Sequence, residues 1–226
     1  MRIVIVGLGG IGSILSEKLA RYLKHITDEQ FNLIFMDGDD YETKNLVRQE
    51  FETYGNKAEV KAAEIFNKFE IPVKPYPYFI NGDNIDAIIQ GNDIVMLCVD
   101  NHKTRRLVSN YCSLLDNITL ISGGNDFIDG NVQIYVRRNG QDITADLTTY
   151  HPEIKEPKDK SPEDMSCEEL EKSEPQLYFT NLTVATIMCW AFYNIITKKK
   201  IGIGEVYFDI ETMSVNSQLR EPNKGE

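Results

Sequence analysis

The stretch MRIVIVGLGGIGSILSEKLARY, residues 1–22, decides the fold. A β-branched apolar run, Arg2 to Val6, ends at Gly7. From Ile11 to Tyr22, apolar residues recur at helical spacing (Ile11, Ile14, Leu15, Leu19, Tyr22). Strand, glycine-rich turn and helix in that order let a backbone approach a phosphate, whose charge then meets the N–H groups at the helix N-terminus. Gly7, Gly9, Gly10 and Gly12 are therefore the first candidate ligand residues. Asp37 ends the next apolar run, Phe31 to Met36, where a carboxylate can accept hydrogen bonds from a ribose. Taken alone this pattern indicates a nucleotide and leaves NAD, FAD and ATP open.

Strands and helices go on alternating. A helix is expected at Asn56–Phe69 and a strand at Val73–Ile80, which Pro75 and Pro77 confine to a sheet edge. A strand then follows at Asp93–Val99, a helix at Lys103–Leu115 and a strand at Ile118–Ser122. The continuous apolar character of the strands suits a parallel sheet covered on both faces. Asn131–Val136 alternates after a glycine-rich turn and reads as a strand joined without a helix. A terminal hairpin is expected at Glu205–Val215. The predicted class is α/β, a Rossmann-like, doubly wound, mainly parallel sheet with antiparallel C-terminal strands, in a single domain of residues 1–226. Between them, about residues 140–176 read as a mobile acidic loop. Residues 151–175 hold nine carboxylates and four prolines, too little apolar surface to order themselves. Leu177–Ile196 reads as an apolar helix packed under the sheet.

Composition narrows the function classes. With 24 basic and 35 acidic residues the net charge is −11, which repels phosphate backbones and anionic membranes at long range. No nucleic-acid or membrane partner is expected, and any nucleotide must be held by local groups. No apolar run of about 18 residues is apparent. The four cysteines, Cys98, Cys112, Cys167 and Cys189, show no C-x-x-C spacing, and Cys98 and Cys189 lie in apolar runs. That usage suits a reducing, cytoplasmic compartment. His25, His102 and His151 show no metal spacing and read as structural or solvated.

The loop DGDDYETKNLVRQ, residues 37–49, selects among the nucleotides. Hydride transfer needs no phosphate clamp here, so Asn45, Arg48 and Gln49 favour phosphoryl or nucleotidyl transfer, in which negative charge spreads over phosphate oxygens. Arg48 offers a planar fork of donors, and Lys57 a point charge at the start of a helix. Asp100, followed by Asn101, ends a strand where it can hold Mg²⁺. Plainer roles exist for each. Arg48 can pair with Asp39 or Glu52, Lys57 can solvate a helix, and Asp100 can cap the helix that follows. Asp39 is a further nucleotide or metal candidate.

The set GLGGIG, then D-x-D-x₅-N-L-x-R-Q, then K-A-E, then V-D-N with Thr104 and Arg105 behind it, resembles the ThiF/MoeB superfamily of ubiquitin-activating-like enzymes. Within it, the chain also resembles the small ThiF-like proteins of PRTRC gene systems. The likeness covers about residues 1–136. It implies an adenylyltransferase: the C-terminal carboxylate of a ubiquitin-like or sulfur-carrier protein ending in Gly-Gly attacks the α-phosphate of ATP. It also implies roles. The glycine turn holds adenosine and phosphate, Asp37 the ribose, Asn45, Arg48 and Lys57 the phosphates, and Asp100 organises Mg²⁺. A carboxylate with pKa near ~3.5 is already ionised at pH 7, so no general base is required. Cys167 stands where relatives often carry an acyl- or sulfur-accepting cysteine, though the acidic residues around it hold its pKa up. Relatives' zinc-binding C-x-x-C pairs are absent, so no zinc is expected. Only Met1 and Arg2 stand before the first strand, so the relatives' N-terminal helix with its arginine finger is expected to be missing or replaced by another arginine. That departure bears on the strength of catalysis and on the family's usual homodimer; the apolar 177–196 helix reads as core packing or, alternatively, as a dimer face. The alternatives are a nicotinamide-dependent oxidoreductase and a non-catalytic nucleotide-binding scaffold.

Overall fold

The computed structural model describes residues 1–26, 30–159 and 176–222. β1 (Arg2–Val6), α1 (Gly10–Ile26) and β2 (Asn32–Met36) form the first β-α-β unit. β3 (Asp40–Tyr41) and β4 (Gly55–Asn56) pair with each other as a small separate ribbon. α2 (Lys57–Phe69), β5 (Val73–Tyr76), α3 (Ile85–Ile88), β6 (Ile94–Leu97), α4 (His102–Cys112) and β7 (Ile118–Asn125) continue the winding. The chain then turns antiparallel through β8 (Asp129–Arg138), β9 (Gln141–Asp142), β10 (Glu205–Asp209) and β11 (Ser214–Gln218). Among the described residues, two further helices, α5 (Pro152–Lys155) and α6 (Tyr178–Phe192), lie between β9 and β10.

Among the described residues the main sheet runs β11-β10-β8-β7-β6-β1-β2-β5, with β9 paired to β8. β1 is parallel to both β2 and β6, so the strand order reverses at β1. In such sheets a crevice opens beyond the strand ends at that point. β5, which carries Pro75, is indeed an edge strand.

Two buried layers hold the sheet. On one face Ile3, Ile5, Phe35, Met96, Ile121 and Ile134 pack against α1, α2 and α6. On the other Val4, Ile34, Val95, Leu120 and Tyr135 pack with residues of α3, α4 and α5. Strand residues alternate between the two layers, as a strand's period of two requires.

The expectation of a mobile loop from about residue 140 is overturned as far as Asp159. Leu147 and Ile154 are buried in the second layer, and the Thr144 hydroxyl binds both the Val136 N–H and the Ile134 carbonyl. A few apolar anchors in a polar stretch suffice, because they fill a face that α4 leaves uncovered. Residues 160–175, including Cys167, lie outside the described residues. The 177–196 helix packs under the sheet as expected, ending in a π-helical turn, Tyr193–Thr197. The 20-residue helical stretch Tyr178–Thr197 holds an 18-residue window of mean hydropathy 1.3, long and apolar enough by length and composition to cross a bilayer, which corrects the expectation that no such run exists. Half of its most apolar window is buried inside the fold, which accounts for its composition by core packing.

Candidate functional site

Gly7 turns the chain at the end of β1 with φ +88, where a Cβ would lie 2.9 Å from the Cys98 carbonyl carbon. Only glycine meets both demands. Gly12 faces inward, since a Cβ there would fall 1.9 Å from the Gly7 carbonyl oxygen. Gly12 thus lets α1 close onto β1, and it does not line the cleft, whereas Gly7, Gly9 and Gly10 do.

Asp37 braces this turn. One of its carboxylate oxygens accepts from the Leu8 N–H at 2.6 Å and the other from the Asp39 N–H at 2.9 Å. Burial raises its pKa above the ordinary carboxylate value, against the pull of Lys57 and these two amides. The Tyr41 hydroxyl, donating to the Leu8 carbonyl at 2.8 Å, ties the β3 ribbon to the same turn.

The loop after β2 folds back over the turn. A single 3-10 turn, Thr43–Asn45, is fixed by the Glu42 N–H donating to Asn45 Oδ1 at 2.9 Å. The Arg48 and Gln49 N–H groups both donate to the Asn45 carbonyl. Arg48 Nη1 donates to Gln176 Oε1 at 2.9 Å, and the Arg48 carbonyl faces the Asn181 amide at 3.4 Å. The plainer pairing of Arg48 with Asp39 is not made. Lys57 takes Asp39 instead, at 3.0 Å. Gln49 is buried, and its Oε1 has no partner.

Across the turn, the Asn101 side chain caps α4 by accepting from the Thr104 N–H at 2.8 Å. The cap expected of Asp100 therefore falls to its neighbour, and the Asp100 carboxylate stays exposed on the cleft wall. The His102 N–H donates to Asp159 Oδ2, which brings a second carboxylate to the start of the same helix.

One cleft of about 1510 Å³ is lined by Gly7, Gly9, Gly10, Asp37, Asp39, Asn45, Arg48, Gln49, Lys57, Asp100 and Asn101. That exceeds the roughly 300–1,000 Å³ of a typical small-ligand pocket. Of the candidates, Gly12 stands apart from the cleft and Cys167 lies outside the described residues.

Sequence reasoning passed over three features of this site. Arg105, quoted only within the motif, is a buried cation whose guanidinium donates to Ser122 Oγ, the Val99 carbonyl and the Gly123 carbonyl at 2.6–2.8 Å. Burial pushes its pKa down, while Asp100, Cys98 and Asp159 push it back up. Asn181 on α6 is fully buried against Gly10, where a Cβ would fall 2.3 Å from its amide nitrogen. His151, read as structural or solvated, is buried between two carboxylates, Glu153 at 2.6 Å and Glu205 at 2.8 Å, and lines the same cleft. Burial alone would lower the imidazole pKa, but Glu205 and Glu153 outweigh it and the net shift is upward. Glu205, with Arg220 at 2.8 Å and Asn131 at 2.7 Å, sits below its ordinary value. The contacts that place Asn181 on Gly10, His151 on Glu205 and Asn131 on Glu205 join residues 54 or more apart in sequence, so no local pattern announced them.

The described cysteines are weak nucleophiles. Burial pushes Cys112 up to about 12 and Cys189 up to about 11, and Cys98 higher still. Cys189 is half-buried, less enclosed than its apolar run implied. Among the described residues no group of three or more His, Cys, Asp or Glu side chains is placed to hold a metal ion.

Comparison with known proteins settles the family. The ThiF family model matches residues 1–225. The chain belongs to the ThiF family. It is 30% identical over 138 residues to the adenylyltransferase and sulfurtransferase UBA4 of Candida albicans, covering 59% of this chain and 30% of that one. It is 26% identical over 145 residues to the molybdopterin-synthase adenylyltransferase of Escherichia coli, covering 62% and 55%. The chain thus spans between 30% and 55% of the length of these relatives. E. coli MccB solved with ATP superposes with a TM-score of 0.74 at 21% identity, over 99% of this chain and 64% of that one. The fold is the Rossmann-like one expected, a mostly parallel sheet with antiparallel C-terminal strands.

Proposed function

We propose that this ThiF-family chain adenylates the C-terminal carboxylate of a small ubiquitin-like or sulfur-carrier protein, or of a peptide, at the expense of ATP. The observation that carries the reading is the meeting of the glycine turn with Asn45, Arg48, Lys57 and Asp100 in one cleft. The relatives' names agree, since they are adenylyltransferases and a ubiquitin-like modifier-activating enzyme. A solved neighbour, MccB, is recorded in complex with N-formylated MccA.

In this reading the turn between β1 and α1 receives the phosphates, whose charge meets the first N–H groups of α1. Asp37 keeps the turn in place and stands beside the ribose. Arg48 and Lys57 stabilise charge developing on the phosphate oxygens, and the Asn45 amide adds a donor. A carboxylate oxygen forms a bond to the α-phosphorus, the bond from that phosphorus to the β-bridging oxygen breaks, and pyrophosphate leaves with the electron pair. The attacking carboxylate is already ionised, so the protein needs only to align it and screen charge. Asp100, exposed on the wall, would hold Mg²⁺, which when bound neutralises the departing pyrophosphate.

Thermal shift provides a first test. ATP with Mg²⁺ should raise Tm by several degrees, NAD should not, and Arg48→Ala should remove most of the ATP effect. Stabilisation by NAD that ignores Arg48→Ala would instead indicate an oxidoreductase. A Gly-Gly chain end and a homodimer belong to this proposal as its expected substrate terminus and assembly.

A further inference from the structure

Gln133, near the middle of β8, lines the cleft yet is only 5% exposed, and its Oε1 has no hydrogen-bond partner. Chemistry fixes which way this amide points. Its Nε2 donates to the Leu147 carbonyl at 3.3 Å, and a carbonyl can only accept, so the oxygen is the end left over. Leu147 is itself buried, and its N–H donates to Ser109 Oγ, which holds that carbonyl in place. The neighbours across the sheet do not fill the gap. Glu205, the register partner on β10, offers only acceptors when ionised, and His151, Arg220 and Asn131 already hold its carboxylate. Ser122, the register partner on β7, is engaged by the Arg105 guanidinium.

A buried acceptor without a donor is rare and costly, and a donor arriving through the cleft would recover that cost. The character of the site selects the donor. Gln133 is neutral, and a lysine or arginine brought to it would lose its water while the adjacent Glu205 is already paired. A neutral N–H fits better. The main chain of an extended peptide supplies one at every residue except proline.

We propose that Gln133 positions the substrate by accepting a main-chain N–H from the segment that leads to the activated carboxylate. The sheet sets the spacing. In the order β8-β7-β6-β1, two strand intervals separate Gln133 from β6, which leads to Asp100, and three separate it from β1, which leads to the glycine turn. At about 4.8 Å per interval that is roughly 10–14 Å. An extended chain covers it in roughly three or four residues at about 3.3 Å each. The N–H received is thus that of the third or fourth residue from the end, and proline is disfavoured at that position. This inference rests on the adenylation reading for where the carboxylate lies.

The test uses decapeptides of alternating Ser and Ala that end in Gly-Gly, with a free carboxylate and an N-terminal fluorophore. One amide at a time, from the second to the sixth residue from the end, is replaced by an ester, which keeps the shape and removes one N–H. Binding to the full chain is read by anisotropy with Mg²⁺ and a non-hydrolysable ATP analogue, and pyrophosphate exchange is read separately. The ester at the third or fourth residue should weaken binding about five- to tenfold. That loss should shrink below twofold in Gln133→Met, which keeps the volume and removes the acceptor, whereas any loss at another position should be the same in both proteins. Gln133→Ala gives the same readout should Gln133→Met fail to fold. Equal binding of all the esters, a loss at the third or fourth residue that survives in the variant, a Gln133-dependent loss at some other residue, or no binding by any peptide overturns the proposal. A Gln133-dependent loss without exchange leaves it standing and sinks the adenylation reading; exchange without such a loss does the reverse.

Discussion

Lys57 Nζ lies 3.0 Å from Asp39 Oδ2, with the lysine side chain 8% exposed and the aspartate 45%. The pair is asymmetric: the cation is committed to the interior of the cleft wall, while its partner stays half in water. A phosphate group arriving in the cleft can share this ammonium without uncovering it. Lys57→Ala removes the cation and leaves Asp39 solvated, so unfolding free energy should change by less than about 1 kcal/mol. Pyrophosphate exchange should fall about 10²- to 10³-fold, the usual loss for a group that stabilises transition-state charge. Asp39→Asn inverts the pattern, leaving a buried ammonium unpaired. It should destabilise by roughly 1–2 kcal/mol, discounted for the exposure of Asp39, while retaining more exchange than Lys57→Ala. Urea melts and exchange assays on both variants separate the two effects.

Arg105 is held by three oxygens that no lysine could reach together, Ser122 Oγ and the carbonyls of Val99 and Gly123. Arg105→Lys should therefore cost about 2–3 kcal/mol, a fall in Tm of roughly 5–10 °C in a chain of this size. An unchanged Tm would mean that the β6 and β7 ends are secured by something other than this fork of donors.

The His151 network makes stability depend on pH in two directions. The folded imidazole has a raised pKa, so its contribution is complete below about 6.5, the unfolded value, and is lost as pH rises through the folded value. Glu205 has a lowered pKa, so its contribution holds above about 4.5 and is lost as pH falls through its folded value. The clamp on the 143–155 segment is thus strongest in mildly acidic solution. His151→Gln should destabilise the protein more at pH 6 than at pH 9, and denaturant midpoints at both values would check it. Equal losses would show that His151 bridges the carboxylates as a neutral ring.

Much of this arrangement was readable in the chain. Local signals located β1, the glycine turn, α1, the edge position of β5 and the antiparallel run after β7, because each rests on periodicity or on a residue with a backbone constraint. The loop carrying Asn45 and Arg48 was legible by residue type and spacing, whereas the choice of Lys57 over Arg48 as the partner of Asp39 was not. That choice depends on how α2 starts, with the Lys57 N–H donating to the Asp39 carbonyl at 2.9 Å. The 143–159 segment was misread because so few of its residues are apolar, and composition averages over the few that anchor it. Asn181 and His151 stayed hidden for a related reason. Their partners, Gly10, Arg48 and Glu205, lie 54 or more positions away along the chain.

The most direct measurement of the central claim is isotope exchange between labelled pyrophosphate and ATP. It is run with ubiquitin-fold carriers ending in Gly-Gly and with peptides bearing a free C-terminal carboxylate, for the native chain and for Arg48→Ala. The arrangement of Asn45, Arg48, Lys57 and Asp100 predicts exchange that requires Mg²⁺ and an acceptor carboxylate, reduced at least 100-fold by Arg48→Ala. Exchange indifferent to Arg48→Ala, or release of orthophosphate from ATP with no exchange on any acceptor, would contradict it.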